Sequence, residues 1–303
     1  MNGIDDLSVS DKLRLSVNIR KKTVGSKVLL RDIRAELRGG DFVLILGGSG
    51  AGKTTLVRAI LGDSRAEGKI LLNGRDLYSD FESLKAEIGM VPQFLTLRRS
   101  DTVRGTLSDT AAIMLGKYTR SQRRQRVDEV LTSLGISEQA DCCIGQLSGG
   151  QQKKVSVANQ LIGRQQVFIC DEPDSGLDAA SRKQQMRLLE SISRTGRIVM
   201  VISHEPDDAI SQLSGGLDPL YTKTVVLAKS LRDGAGHLAF FGGAHEALLF
   251  FGVKRLRDIM LELNPPSEGG HGRADEYIEK YARLRSDNNE LRLLPSTDRS
   301  LLQ

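Results

Sequence analysis

The chain has 303 residues, of which 39% are hydrophobic and 27% charged, and a formal net charge of +5. This composition is that of a folded globular protein, and the length allows one large domain or two smaller ones. The longest apolar runs are five residues, whereas a membrane-spanning helix needs about 20, so no transmembrane helix is expected. The first residues, MNGIDD, lack the apolar core of a secretory signal.

The first quarter of the sequence consists mainly of patterns typical of β-strands. Apolar and polar residues alternate near the start, as in half-buried strands. The run Phe42–Leu46 is apolar throughout, as in a strand buried on both faces of a parallel sheet. A helix over Thr54–Leu61 is expected to follow it, and Asn73-Gly74 predicts a tight turn. The predicted strands are residues 13–19, 28–30, 33–37, 42–46 and 68–72.

Helical periodicity dominates from about residue 94 to residue 162, and short buried-strand runs then return with a helix between them. Strands that alternate with helices indicate a parallel α/β sheet. The helices predicted in this part are residues 106–115, 120–134 and 181–193. The strands are residues 167–170 and 198–202.

The C-terminal part contains two more predicted strands, at 225–227 and 237–241, and then a helix from His245. Pro265-Pro266 and Gly269-Gly270 predict a linker. The chain is therefore divided into a main domain over residues 1–264 and a linker with a C-terminal helical extension over residues 265–303. The apolar stripe of an amphipathic helix predicted in the extension, over 274–284, indicates a packing face.

A glycine-rich segment between the strand at 42–46 and the next helix matches the phosphate-loop pattern G-x-x-x-x-G-K-[ST]. Its glycines allow backbone N–H groups to point at phosphate oxygens, and the helix N-terminus favours an anion. The lysine is expected to contact the β- and γ-phosphates, and the hydroxyl of the first threonine to bind Mg²⁺. The segment predicts a nucleoside triphosphate site formed by Gly47, Gly48, Ser49, Gly50, Ala51, Gly52, Lys53, Thr54 and Thr55.

Two carboxylates, Asp171 and Glu172, directly follow the buried run Val167–Cys170. Because ligands bind at the carboxyl ends of parallel strands, both are expected beside the phosphate loop. Asp171 is predicted to bind Mg²⁺ through its water shell. Glu172 is predicted to act as the general base that polarises the attacking water.

The sequence Leu-Ser-Gly-Gly-Gln at residues 147–151 precedes a predicted helix that runs to about Ile162. Ser148 and Gln151 have the spacing of a capping box, so one interpretation is only a well-capped helix. The other interpretation is that the N–H groups at this helix start hold a γ-phosphate. That phosphate would belong to a nucleotide bound by a second subunit, because one chain cannot easily place both elements around one nucleotide.

Six features occur in the order and spacing of an ATP-binding cassette (ABC) domain, which the sequence resembles over about residues 10–255. They are the phosphate loop, Gln93, Leu147–Gln151, Asp171-Glu172, Ser175–Asp178 and His204. The segment from Phe168 to Ser181 is similar to the G-type (pigment, sterol and multidrug) exporters and to related bacterial exporters. The resemblance implies the α/β fold of P-loop (RecA-like) NTPases: a parallel-sheet core, an antiparallel β subdomain and an inserted α-helical signature subdomain at about 94–162.

The resemblance also implies roles for individual residues. Gln93 resembles the glutamine that senses Mg²⁺ and water and couples to a transmembrane partner, and Asp178 would cross the dimer interface near the other phosphate loop. His204 would bond the γ-phosphate and hold the attacking water with Glu172. The residues expected to contact the γ-phosphate of the opposite subunit are Ser148, Gly149, Gly150 and Gln151. The implied catalytic residues are Glu172, His204, Lys53 and Gln93, and the implied Mg²⁺ ligands are Thr54, Gln93 and Asp171.

By this resemblance the protein is an ATP-hydrolysing subunit that works as a nucleotide-sandwich dimer with ATP and Mg²⁺. It would power a multispanning permease, on another chain or a missing portion, from the cytoplasmic face of a membrane, and the subfamily likeness favours export. The alternative is a soluble ABC ATPase that acts on ribosomes or DNA. The single phosphate loop and its short separation from Ser148 favour the transporter, and no nucleic-acid partner is expected.

The sequence departs from the family pattern at two places, and it contains a second copy of part of the Leu-Ser-Gly-Gly-Gln motif. No Phe, Tyr or Trp precedes Phe42, so the usual adenine-stacking ring is missing. Basic residues at 20–22 are near its position, which predicts a cation–π contact to the base and weak base selectivity. Asp174 stands where the family commonly has Thr. The second Gln-Leu-Ser-Gly-Gly string, at 212–216, continues as Leu-Asp-Pro and is interpreted as a loop.

Overall fold

The computed structural model of the protein describes residues 13–93, 97–163, 165–211 and 218–287. The second Gln-Leu-Ser-Gly-Gly string lies outside these residues. The strands are β1 (Arg14–Val24), β2 (Lys27–Arg38), β3 (Phe42–Gly47), β4 (Glu67–Leu72), β5 (Arg75–Asp76), β6 (Ile88–Val91), β7 (Val167–Asp171), β8 (Ile198–Ile202), β9 (Ile210–Ser211), β10 (Asp218–Pro219), β11 (Lys223–Lys229) and β12 (Gly236–Gly242). The helices are α1 (Lys53–Ile60), α2 (Phe81–Leu84), α3 (Val103–Met114), α4 (Arg120–Ser133), α5 (Gly149–Leu161), α6 (Ala179–Ser193), α7 (Ala244–Phe251), α8 (Asp258–Leu263) and α9 (Ala274–Asp287).

Ten strands form one mixed sheet in the order β5-β4-β1-β2-β12-β11-β3-β8-β7-β6. The part from β11 to β6 is parallel, and β1 pairs antiparallel with β2 and β4. Strand β12 joins the two parts, because it is antiparallel to β11 and parallel to β2. The predicted parallel core with an antiparallel β part is confirmed, and both parts share one continuous sheet.

The predicted strands at 28–30 and 33–37 are a single strand, β2. The polar pair Arg31-Asp32 suggests a break in the sequence, but the strand continues through it. Asp32 adopts a φ of 53°, a left-handed conformation that aspartate tolerates better than most residues. The apolar residues on both sides, Leu30 and Ile33, are fully buried.

Helices α3, α4 and α5 lie between β6 and β7 in the chain, within the predicted helical insertion. Each begins with a side-chain cap, from Thr102, Thr119 and Ser148 respectively. The Arg126 guanidinium on α4 donates to the carbonyl oxygen of Leu161 at the end of α5, at 2.6 Å. In the described parts of the chain, none of the helices has the length and apolar character that crossing a bilayer requires.

The segment between α8 and α9 contains hydrogen-bonded turns. The N–H of Gly270 donates to the carbonyl of Pro265 (3.1 Å), and that of Gly272 to the carbonyl of Asn264 (2.8 Å). Helix α9 packs on the sheet, and its Tyr281 hydroxyl donates to the carbonyl of Phe241 on β12, at 3.0 Å. The packing face predicted for this helix is therefore confirmed, since its tyrosines, including Tyr277, are buried.

The parallel strands place the predicted site residues at one edge of the sheet. Strand β3 leads into the phosphate loop and β6 leads to Gln93. Strand β7 ends at Asp171, and β8 is followed by Ser203 and His204. Four segments that are far apart in the sequence therefore converge.

Candidate nucleotide site

The phosphate loop connects the buried strand β3 to α1, as predicted. The Lys53 ammonium donates to the carbonyl oxygens of Gly47 (2.6 Å) and Gly48 (3.2 Å). Gly52 precedes the helix with a φ of 95°, and a Cβ atom there would lie 2.3 Å from Leu30 Cδ2. Only glycine satisfies both constraints. The loop therefore curves tightly around the lysine ammonium.

A cleft of about 240 Å³ lies beside this loop. Three lysine side chains line it, and one of them, Lys229, brings its Nζ atom within 3.9 Å of a methyl group built on Gly50. Cations together with the N-terminus of α1 suit a polyanionic ligand. The lining residues are Lys27, Leu29, Gly48, Gly50, Gly52, Lys53, Thr54, Thr55, Lys229 and Gly234.

The basic residues Arg20, Lys21 and Lys22 do not line this cleft. The Lys22 ammonium donates to the carbonyl of Arg65 at 2.5 Å, and Arg20 pairs with Glu67 at 3.6 Å. Both contacts arise because β1 pairs with β4 along this stretch. The structure thus places the predicted cations for the base near β4, and Lys27 and Lys229 line the cleft instead.

Glu172 lies at the centre of the polar residues that follow the parallel strands. Its φ of 45° is a conformation that costs about 1–3 kcal/mol for a residue other than glycine. Its Oε2 accepts a hydrogen bond from Gln93 Nε2 at 2.5 Å, and a second hydrogen bond joins Oε1 to His204 Nε2 at 2.9 Å. Three residues predicted from separate motifs therefore meet at one carboxylate.

The charges around Glu172 affect one another. Burial lowers the pKa of Lys53, while the carboxylates of Glu172 and Asp171 act in the opposite direction. Burial and the neighbouring Glu172 raise the pKa of Asp171, which the Lys53 ammonium opposes. Burial is the largest influence on both Lys53 and Asp171, and the attraction between their opposite charges offsets part of it.

The residues predicted to bind Mg²⁺ offer oxygen atoms, which this ion prefers. Thr54 is an exposed residue with a hydroxyl group, and Asp171 is a partly buried residue at the end of β7. The Gln93 amide uses its nitrogen for Glu172, which leaves its oxygen available. The donor set therefore fits Mg²⁺.

The segment at 147–151 forms the predicted capping box of α5. Ser148 Oγ accepts from the N–H of Gln151 (3.3 Å), and the Ser148 N–H donates to Gln151 Oε1 (2.9 Å). A methyl group on Gly149 would lie 3.8 Å from Leu177. The loop that contains Leu177 ends at Asp178, whose carboxylate caps α6. The start of α5 remains accessible to solvent although it is capped, since three residues of this surface are exposed: Ser148, Gly149 and Asp178.

Residues 30–175 match the family model described as ABC transporter. This chain carries an ABC transporter ATP-binding domain. It is 33% identical over 255 residues to ATP-binding cassette sub-family G member 5 of Mus musculus, which covers 80% of this chain and 37% of that protein. It is 37% identical over 182 residues to an ABC transporter ATP-binding/permease protein of Mycobacterium tuberculosis (59% of this chain, 21% of that protein). It is 34% identical over 199 residues to the methionine import ATP-binding protein MetN of Photorhabdus laumondii (62% and 57%).

This chain thus spans 21% to 57% of the length of these three curated relatives. Among solved structures, cbiO1 from Clostridium perfringens, part of the ABC transporter complex cbiONQ, aligns with a TM-score of 0.66 and 26% identity over 78% of this chain and 90% of that one. The ADP conformation of the ATP-binding cassette MJ1267 aligns with a TM-score of 0.63 and 21% identity over 77% and 91%, which shows the fold alone. The predicted fold class is confirmed.

This ABC domain also contains polar residues near the site that its sequence motifs did not indicate. Lys27 and Lys229 line the cleft, and the Lys153 ammonium donates to the carbonyl of Gln93 at 2.8 Å. Ser203 donates to Asp174 at 2.6 Å. The only sequence feature that pointed to any of these residues was the unusual acid at position 174, whose hydrogen-bond partner, Ser203, is buried.

Proposed function

We propose that this chain is the ATP-binding and ATP-hydrolysing subunit of an ABC transporter. The meeting of Gln93, Glu172 and His204 at the sheet edge that carries the phosphate loop supports this function most directly. The proposed hydrolysis site contains a cation for the phosphates, a carboxylate for the attacking water and two side chains that hold the carboxylate. Each of the three curated relatives named above is, by its name, an ABC transporter component, an import ATP-binding protein or an ATP-binding cassette member.

The hydrolysis step follows from the lone pairs of the Glu172 carboxylate. Each of its oxygens accepts one hydrogen bond, from Gln93 or His204, and retains acceptor capacity for a water. That water attacks the γ-phosphorus as Glu172 takes its proton, and the bond to the β-phosphate oxygen breaks to release ADP and phosphate. Lys53 and the loop N–H groups stabilise the charge that develops on the phosphate oxygens.

Thr54, Asp171 and Gln93 would hold Mg²⁺ in this proposal. When bound, the ion neutralises charge on the β- and γ-phosphate oxygens. Asp171 lies directly before Glu172, at the end of β7, and Thr54 is the second residue of α1. The elements that carry the phosphate loop and the general base therefore also carry two of the three predicted metal ligands, Thr54 and Asp171.

The proposed working form is a dimer with each nucleotide between the phosphate loop of one copy and Ser148–Gln151 of the other. Both segments lie at the N-terminus of a helix, which favours phosphate binding. Asp178 lies beside the Ser148–Gln151 segment. Loss of the γ-phosphate would separate the copies and move a multispanning permease at the cytoplasmic face of a membrane. The permease is a separate chain or a portion of the protein outside this sequence. The relatives include a methionine import protein and a sub-family G member, so they do not favour one direction of transport.

The substitution Glu172→Gln tests the proposed general base. The amide retains the size of the side chain but cannot take a proton from water, so steady-state ATP hydrolysis should fall by about 100-fold or more. ATP should still bind, and gel filtration with ATP should show a dimer that persists longer than that of the unsubstituted chain. Glu129→Gln on the outer face of α4 is the matched control and should hydrolyse ATP normally. Persistent turnover together with a monomer in ATP would contradict the assignment.

A further inference from the structure

Lys153 is a buried cation in the helix that begins at the Ser-Gly-Gly-Gln segment. Only 7% of the solvent-accessible surface of Lys153 is exposed. Its ammonium donates to the main-chain carbonyl of Gln93 at 2.8 Å and reaches that of Glu172 at 3.5 Å. Burial of an ammonium is unfavourable unless it is hydrogen-bonded and opposed by negative charge. Both carbonyls belong to residues of the proposed hydrolysis site.

Asp174 is the buried acid on the other side of Glu172. It is 4% exposed, and its Oδ2 accepts from the Ser203 hydroxyl at 2.6 Å. The Ser203 oxygen in turn accepts from the N–H of Glu205 at 3.0 Å. These two bonds fix the backbone on both sides of His204, whose ring bonds Glu172.

Neighbouring groups oppose the effect of burial at both Lys153 and Asp174. Burial lowers the pKa of Lys153, and the carboxylate of Asp174 is the strongest opposing influence, followed by Glu172. Burial also raises the pKa of Asp174, which the hydrogen bond from Ser203 opposes. An unpaired buried charge is strongly destabilising. The hydrogen bonds of Lys153 to the Gln93 carbonyl and of Ser203 to Asp174 therefore help to stabilise the two buried charges.

We propose that Lys153 and Asp174 are a pair of positioning residues that tie the signature helix α5 to the general base Glu172. Lys153 holds the main chain of Gln93 and Glu172, and Asp174 holds the His204 loop through Ser203. The side chains of Gln93 and His204 in turn form hydrogen bonds to the Glu172 carboxylate. Contact of Ser148–Gln151 with a nucleotide on the opposite subunit is thereby transmitted to the geometry of Glu172. This inference rests on the proposed function.

Four variants of the full chain test the pair: Lys153→Met, Asp174→Asn, the double variant and the matched control Lys154→Met. Lys154 is the next residue of the same helix and is less buried than Lys153. Displacement of a catalytic group by a fraction of an ångström is costly. Each single variant should therefore lower kcat about tenfold or more, with KM for ATP within about twofold. The double variant should lose less than the product of the two single losses, because both substitutions act on the position of the same carboxylate, that of Glu172. Lys154→Met should match the unsubstituted chain.

Independent losses in the double variant, or an unchanged kcat in Lys153→Met, would overturn the inference. Ser203→Ala provides a second test if loss of Lys153 prevents folding. It should lower kcat by about threefold to tenfold with little effect on KM, and Ser203→Thr, which keeps the hydroxyl, should restore kcat. Equal kcat for Ser203→Ala and the unsubstituted chain would also overturn it. An unsubstituted chain that does not hydrolyse ATP would instead count against the proposed function.

Discussion

The side chains that line the cleft beyond the phosphate loop are lysines and a leucine, Lys27, Leu29 and Lys229. A ring at this place would stack on adenine, whereas aliphatic stems and ammonium groups contact any base in a similar way. None of these three side chains carries the fixed pair of donor and acceptor that reads the edge of a purine. We therefore expect the base to contribute little to the specificity of the proposed site.

We expect the chain to hydrolyse GTP, CTP and UTP with kcat/KM values within about tenfold of that for ATP. The physical reason is that the triphosphate, common to all four, makes the contacts with Lys53 and the loop N–H groups. Competition assays at fixed ionic strength measure these ratios directly. A preference for ATP of about 100-fold or more would mean that another group reads the base.

The residues found from the sequence and those that were missed differ in one physical respect. Gln93, Glu172 and His204 each follow a parallel strand directly or within two residues, so the strand pattern alone brings them to one edge. Lys153 instead lies inside helix α5 and reaches the site only through its contact with Gln93, 60 residues away in the chain. Ser203 also follows a strand, but no sequence motif marks a serine at that position. A lone lysine on a helix is usually solvated, and no local pattern distinguishes the buried one. The order of the motifs therefore predicts the residues at the centre of the site but not the residues that contact and position them.

At the scale of elements, the C-terminal helix α9 completes an aromatic cluster with α7 and β12. The rings of Phe240 and Tyr281 lie with centroids 5.6 Å apart, and those of Phe251 and Tyr277 4.6 Å apart. Lys280 donates to the carbonyl of Phe250 at 2.8 Å and lies over its ring. Few aromatic residues are present in the chain, and these five are concentrated where the last helix meets the sheet.

Phe240→Ala should lower the free energy of unfolding by about 3–5 kcal/mol, because Phe240 is fully buried and its removal leaves a cavity among the other rings. Leu249→Ala is the matched control, since Leu249 lies on α7 but is 66% exposed, and should change stability by less than about 0.5 kcal/mol. Denaturant titration of both variants checks the difference. Similar losses in the two would show that α9 packs differently from the arrangement described.

Element boundaries were less predictable than the elements themselves. The break predicted between residues 30 and 33 is absent: β2 continues through Asp32 although this residue has a left-handed conformation. The prolines and glycines near residue 265 were interpreted as a linker. They form turns in which main-chain groups of Asn264 and Pro265 bond to glycine N–H groups. Local composition therefore indicates where the chain turns, but it does not indicate the hydrogen bonds that close the turns.

At the scale of the whole molecule, the phosphate loop and the Ser148–Gln151 segment are separate surfaces that each present a helix N-terminus. In the described residues, the nearest side chains around Gly149 and Gly150 belong to Leu177 and Ser181, at the loop before α6 and the start of α6. The phosphate loop is instead bordered by Leu30, Leu227 and Asn264. In the proposed dimer each copy therefore supplies two half-sites, and closed twofold symmetry would complete both at once.

Mixing two inactive variants tests this two-copy site. Lys53→Ala removes the phosphate cation, and Gly149→Asp places a negative charge at the second half-site. The new side chain has room beside Leu177, and an acid in the first turn favours the helix. Each variant alone should be inactive. An equal mixture should recover up to about a quarter of the normal turnover, because half of the dimers are mixed and each of these retains one intact pair of half-sites. If cross-linking shows mixed dimers and the mixture is still inactive, the nucleotide is not shared between copies in this way.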